Sequence, residues 1–146
     1  MSVQKYGTEY LRSYPGLLKV CEQVLNISVI IAGSICGFLF KTILLNFNAI
    51  YALCTTLFFL IVHYKALFRK STFPWDWIEC ANCLAVAVVY ALGASITLSE
   101  LSKEYIVAGI IGYITAMAYV LETIDSFKLA VTPRARYVWT TPNMPE

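Results

Sequence analysis

The scarcity of charge decides the class of this sequence before any motif is read. Only 14% of its 146 residues are charged and 59% are apolar, whereas a soluble domain carries about 25% charged residues. That deficit excludes an ordinary soluble domain. A net charge of +2 is too small to point to nucleic acid. With His63 the only histidine, no His–Ser–Asp or His-based metal constellation is expected, and no cofactor. The roughly 10-residue blocks of alternating polarity that mark transmembrane strands are missing too. Proline is absent from the interior of the apolar runs. Pro15 and Pro74 instead stand just ahead of two of them, where a helix start tolerates proline.

What is present is a set of four long apolar runs, approximately 17–40, 47–68, 76–98 and 105–127. Each has about 20 residues or more, enough at a rise of about 1.5 Å per residue to cross a hydrocarbon core of ~30 Å. The pattern predicts an all-α membrane protein with an antiparallel bundle of four transmembrane helices over 17–128. A cytosolic arm, 1–16, precedes the bundle and a cytosolic tail, 129–146, follows it. Loops of about six or seven residues suit neighbouring antiparallel helices. The first run exceeds the ~7–15 residues of a signal-peptide core and is expected to remain in the protein.

Lysine and arginine set the expected orientation. Lys5, Arg12, Lys19, Lys65, Arg69, Lys70, Lys128, Arg134 and Arg136 fall on one side, and Lys41 and Lys103 on the other. This asymmetry predicts that both termini and the middle loop face the cytosol. Trp75 and Trp77 would anchor that interface, with Trp139 on the same side.

Helices in lipid associate through close packing, so small residues mark candidate contact faces. Gly33 and Gly37 form such a step in the first run. Cys83, Ala87, Ala91 and Ser95 form one in the third, and Ala108, Gly112 and Ala116 in the fourth. Ala118 reads as lipid-facing. Charges in a membrane are expensive and suggest function, but here the acids gather near one set of helix ends. Lys19, Glu22, Asp76, Glu79, Glu122, Asp125 and Lys128 are predicted to form a belt at the cytosolic interface, tying helix ends together, with Asp125 meeting Lys128 one turn on. The alternative is a proton or cation site at Glu122. Cys80 and Cys83 form a C-x-x-C without a second pair, so zinc is not expected. Cys21, Cys80 and Cys83 lie where cytosolic acylation could reach them, or else serve as small packing residues.

Three stretches together carry a family likeness: "YLRSYPGLLKVCEQVL" at 10–25, "WDWIECANCLAVAVVYALGAS" at 75–95 and "GIIGYITAMAYVLETIDSFK" at 109–128. They resemble the MARVEL domain in the short arm before Leu-Leu-Lys, the acid and small residues of the third helix, and the Gly, Tyr, acid and Ser-Phe-Lys of the fourth. The likeness spans about residues 10–128. It implies a non-enzymatic multi-pass protein of plasma or vesicle membranes. Such a protein would organise membrane domains or apposition in vesicle trafficking, cell junctions or cell fusion. Its partners would be the lipid bilayer, other membrane proteins or a second copy of itself, and no nucleic acid. A small channel or transporter, or its accessory subunit, is the alternative.

Overall fold

Runs rich in Leu, Ile, Ala and Val, free of internal proline, bury no polar backbone when helical, and the chain takes that solution. The computed structural model describes residues 7–37, 40–65, 67 and 74–131. Among them are a short helix α1 (Thr8–Leu11) and four long ones: α2 (Tyr14–Ile35), α3 (Phe40–Tyr64), α4 (Trp75–Leu98) and α5 (Lys103–Val131). The long helices have 22, 25, 24 and 29 residues and are long and apolar enough to cross a membrane. No strand occurs among the described residues. Lys5, Arg69, Lys70, Arg134, Arg136 and Trp139, invoked above for orientation, lie outside them.

The turn between the first two long helices falls earlier than hydropathy suggested. Helix α2 is capped at Cys36, and Gly37 takes a φ of 77°, a conformation open to glycine and strained for other residues. Gly37 therefore stops the helix and is not a packing residue. Helix α3 starts at Phe40, so Lys41 belongs to its first turn rather than to a loop. At the other end of the chain α5 continues to Val131, four residues past the expected 127.

Contacts are most extensive between α4 and α5, while α2 packs on both α3 and α5. Ala108, Gly112 and Ala116 of α5 are buried, as are Cys83 and Ala87 of α4. The stripe proposed for α4 then leaves the interface: Ala91 is half-buried and Ser95 exposed. Residues four apart advance about 40° around a helix at each step, so the buried face follows Ala87, Tyr90, Ala94 and Thr97 instead. Ser95 still joins the helices through a hydroxyl contact with Tyr113. Ala118, read as lipid-facing, is buried. Because α5 packs on both α2 and α4, its covered arc is broad enough to include Thr115, Ala116, Ala118 and Tyr119.

Gly33 and Gly112 are among the glycines that permit close approach. A Cβ on Gly33 would overlap the Asn46 carboxamide, and one on Gly112 would meet Leu45 Cδ1 at 3.0 Å and Ala94 Cβ at 3.1 Å. Gly112→Leu is therefore expected to lower stability in detergent by roughly 1–3 kcal/mol through overpacking. Met117→Leu, on the exposed face of the same helix, should stay within about 0.5 kcal/mol of the parent. Denaturant unfolding followed by circular dichroism checks the difference, and equal stability of the two variants would remove the packing argument.

Candidate functional site

Lys19, Glu22 and Asn26 stand at i, i+3 and i+7 in α2, which places them on one helical face. That face turns inward, and the three are 2%, 0% and 0% exposed. Glu79 of α4 and Glu122 of α5 are buried against it. The Lys19 ammonium pairs with both carboxylates and lies 5.7 Å from the centroid of the Phe59 ring. Glu22 is buried beside the Glu122 carboxyl, and the Cys83 thiol donates to Glu122 Oε2 at 3.2 Å. One lysine thus joins α2, α4 and α5.

These pairs join helix ends as the sequence led us to expect, and the charges face into the bundle rather than outward. At about 1.5 Å per residue, Glu22 lies ~12 Å into α2 and Glu122 ~13 Å from the end of α5. The longer α5 carries Glu122 inward, away from the helix terminus. Of the seven residues assigned to a charge belt, Lys19, Glu22, Asp76, Glu79 and Glu122 are buried. Asp125 is half-buried and Lys128 exposed. The belt is a buried cluster with an exposed fringe.

His63, in the last turn of α3, closes the cluster on a further side. Its Nε2 stands 3.5 Å from Glu79 Oε2, and its Nδ1 lies 2.9 Å from the carbonyl oxygen of Phe59. The Tyr10 ring stacks on the imidazole, centroids 5.0 Å apart and 12° from parallel. Burial pushes the Tyr10 hydroxyl above its ordinary range, which keeps the phenol neutral. Gly7 N donates to Tyr64 O at 3.2 Å, holding the arm against the end of α3. Asp76, in the first turn of α4, joins His63 and Glu79 in a group whose donor atoms all lie within 4.8 Å of one another. The lone histidine, set aside on sequence grounds, sits among acids.

A second polar layer lies one turn deeper and takes one residue from each long helix. Tyr90 OH donates to Asn26 Oδ1 at 2.5 Å, and Asn26 Nδ2 donates to Tyr119 OH at 2.8 Å. Thr56 Oγ1 and Tyr119 OH lie 2.7 Å apart. The two tyrosine rings stack at 5.8 Å. Reasoning from charge alone passed over this layer. Its signal was Asn26, a polar residue one turn beyond Glu22 on the same face. At the opposite end, Tyr105 OH donates to Cys36 O at 3.3 Å, and Lys41 pairs with Glu100 at the surface. Of the three cysteines considered for acylation, Cys80 and Cys83 are buried and Cys21 is exposed.

Comparison with protein-family models, curated protein sequences and solved structures finds no match to this chain.

The arrangement can do two things chemically. It can fix the helices through paired charge, and it can offer carboxylates and an imidazole to a proton or cation. The first use has a direct energetic signature. Lys19→Met leaves the Glu79 and Glu122 carboxylates without their shared cation, and breaking a buried pair in this way costs roughly 3–5 kcal/mol. Lys41→Met breaks a pair whose side chains are 48% and 40% exposed, and should cost at most about 1 kcal/mol. Equilibrium unfolding of both variants in one detergent measures the contrast. Equal small losses would show that the buried pair does not hold the bundle.

Proposed function

We propose that this chain is a non-enzymatic multi-pass membrane protein of the MARVEL type, an antiparallel four-helix bundle with cytosolic termini. In this reading it organises membrane domains or membrane apposition. The observation that carries the proposal is the placement of polarity. Charged and hydrogen-bonding side chains of all four long helices point into the bundle. Large apolar residues such as Ile31, Phe47, Leu92 and Met117 face outward. In this reading the lipid-facing surface is the working surface. An open apolar groove between α3 and α4, lined by Leu44, Phe47, Tyr51 and Val89 among others, adds relief to that surface. Its partners would be bilayer lipid, other membrane proteins or a second copy of the chain. The membranes served would be plasma or vesicle membranes, and the processes trafficking, junctions or fusion.

Two tests address this reading. Epitope tags at either terminus should be hidden in intact cells and revealed by permeabilisation, whereas a tag near Ser99–Lys103 should be accessible from outside. Surface staining of a terminal tag would reverse the topology. For the function itself, purified protein in giant vesicles that separate into ordered and disordered lipid phases should concentrate in one phase or at vesicle contacts. A uniform distribution without contacts would argue against an organising role.

A second reading rests on a specific observation. The cluster at Lys19, Glu79, Glu122 and Glu22 continues into the Asn26–Tyr90–Tyr119–Thr56 layer, so buried polar groups reach the middle of the helices. Proton or cation transfer would use such a line. The expected result is no flux above empty liposomes under an imposed gradient, from either the parent or Glu122→Gln. Flux in the parent that disappears in Glu122→Gln would establish transport instead.

A further inference from the structure

We propose that His63, Asp76 and Glu79 bind one divalent transition-metal cation of the zinc class at the end of the bundle where α3 finishes and α4 begins. The donors come from two helices: His63 from the last turn of α3, and Asp76 and Glu79 from one face of α4 at i and i+3. All three are buried, at 5%, 9% and 4% exposure.

The spacing fits a metal coordination shell. His63 Nε2 and Glu79 Oε2 are 3.5 Å apart, beyond the 2.7–3.2 Å typical of an N–H···O bond. Zinc–nitrogen and zinc–oxygen bonds of about 2.0–2.2 Å in a tetrahedral shell separate neighbouring donors by about 3.4 Å. The His63–Glu79 edge already has that length. No pair of donors in the group exceeds 4.8 Å, a gap that small side-chain rotations at the start of α4 can close.

The imidazole is held as a ligand histidine is held. With its proton on Nδ1, directed at the Phe59 carbonyl oxygen 2.9 Å away, the lone pair of neutral His63 lies on Nε2, toward Glu79. A metal-bound histidine usually donates its other ring N–H to a backbone carbonyl or a carboxylate, which fixes both tautomer and ring orientation. The Tyr10 ring stacked on His63 restrains the same rotation.

Charge points the same way. Lys19 is the only buried lysine or arginine among the described residues, and it accompanies four buried acids, Glu22, Asp76, Glu79 and Glu122. Acidic side chains thus predominate at this end of the bundle, the setting that a cation site requires. Imidazole with carboxylates is a donor set for zinc and its neighbours, whereas magnesium prefers oxygen ligands and retained water. Binding uses lone pairs on one nitrogen and two oxygens, with no change of oxidation state.

The test uses the full chain, purified in detergent and stripped with a chelator. Titration with zinc against a chromophoric competitor should give about one ion per chain, together with a raised thermal midpoint. Magnesium at the same concentration should not compete. His63→Gln and Asp76→Asn should each weaken zinc binding at least tenfold, and Cys21→Ser with Cys54→Ser, at exposed thiols, should leave it unchanged. Asp76→Asn decides if His63→Gln fails to fold. X-ray absorption at the zinc edge should show one imidazole in the parent. Stoichiometric binding retained in Asp76→Asn, loss of binding in the serine variant, or no stoichiometric binding in the parent would each overturn the site.

Discussion

The pairing of one buried lysine with two buried carboxylates, on three different helices, is the constraint on which the rest of the structure depends. In an apolar interior an unpaired charge is intolerable, so Lys19, Glu79 and Glu122 must meet. That requirement fixes the register of α2 against α4 and α5 to within a fraction of a turn. Apolar contacts alone would leave it loose, because the contact faces are lined with small, interchangeable residues such as Ala87, Ala94, Ala108 and Ala116. Packing supplies the attraction, and the ionic cluster penalises arrangements that separate Lys19 from its carboxylates.

The hydrogen-bonded layer above it extends the same logic. Asn26, Thr56, Tyr90 and Tyr119 come one from each long helix, and Tyr119 OH meets two of the other three. A slip of one residue in any helix would strand a buried polar group. The layer therefore ties α3, which does not contribute to the lysine pairing, into the register of the other three. The Phe59 ring under the Lys19 ammonium and His63 beside Glu79 complete that connection.

Much of the fold was legible in the sequence because length and hydropathy are local properties. Four apolar runs gave four long helices, and Ala108, Gly112 and Ala116 are buried as their spacing implied. The failures share a cause. Depth and facing depend on neighbours, which composition does not encode. Gly37 looked like a packing residue, but its backbone angle makes it a helix stop. Ala91 and Ser95 continued a numerical stripe that the 3.6-residue repeat rotates out of contact. The acids were read as an interfacial belt, and their burial depends on partners from three helices that spacing along one helix does not reveal. The Lys19–Glu22–Asn26 spacing puts three polar residues on one face of α2, but only the neighbouring helices show that this face turns inward. Cys83, read as either an acylation target or a small packing residue, is buried in the core, where its thiol also donates to Glu122.

The distance along the chain between Lys19 and Glu122 has a consequence for biosynthesis. They are separated by 103 residues, and at about 5–20 residues per second the partner follows roughly 5–20 s behind. During that interval α2 carries Lys19 and Glu22 without the helix that completes their cluster, and each charge held in hydrocarbon can cost up to about 3 kcal/mol. The first long helix must therefore wait in a hydrated or protein-lined setting until the last one is made. A chain that stops before α5 has the Lys19–Glu79 pair but lacks Glu122 and the helix that covers it, a physical mark by which an unfinished molecule differs from a finished one.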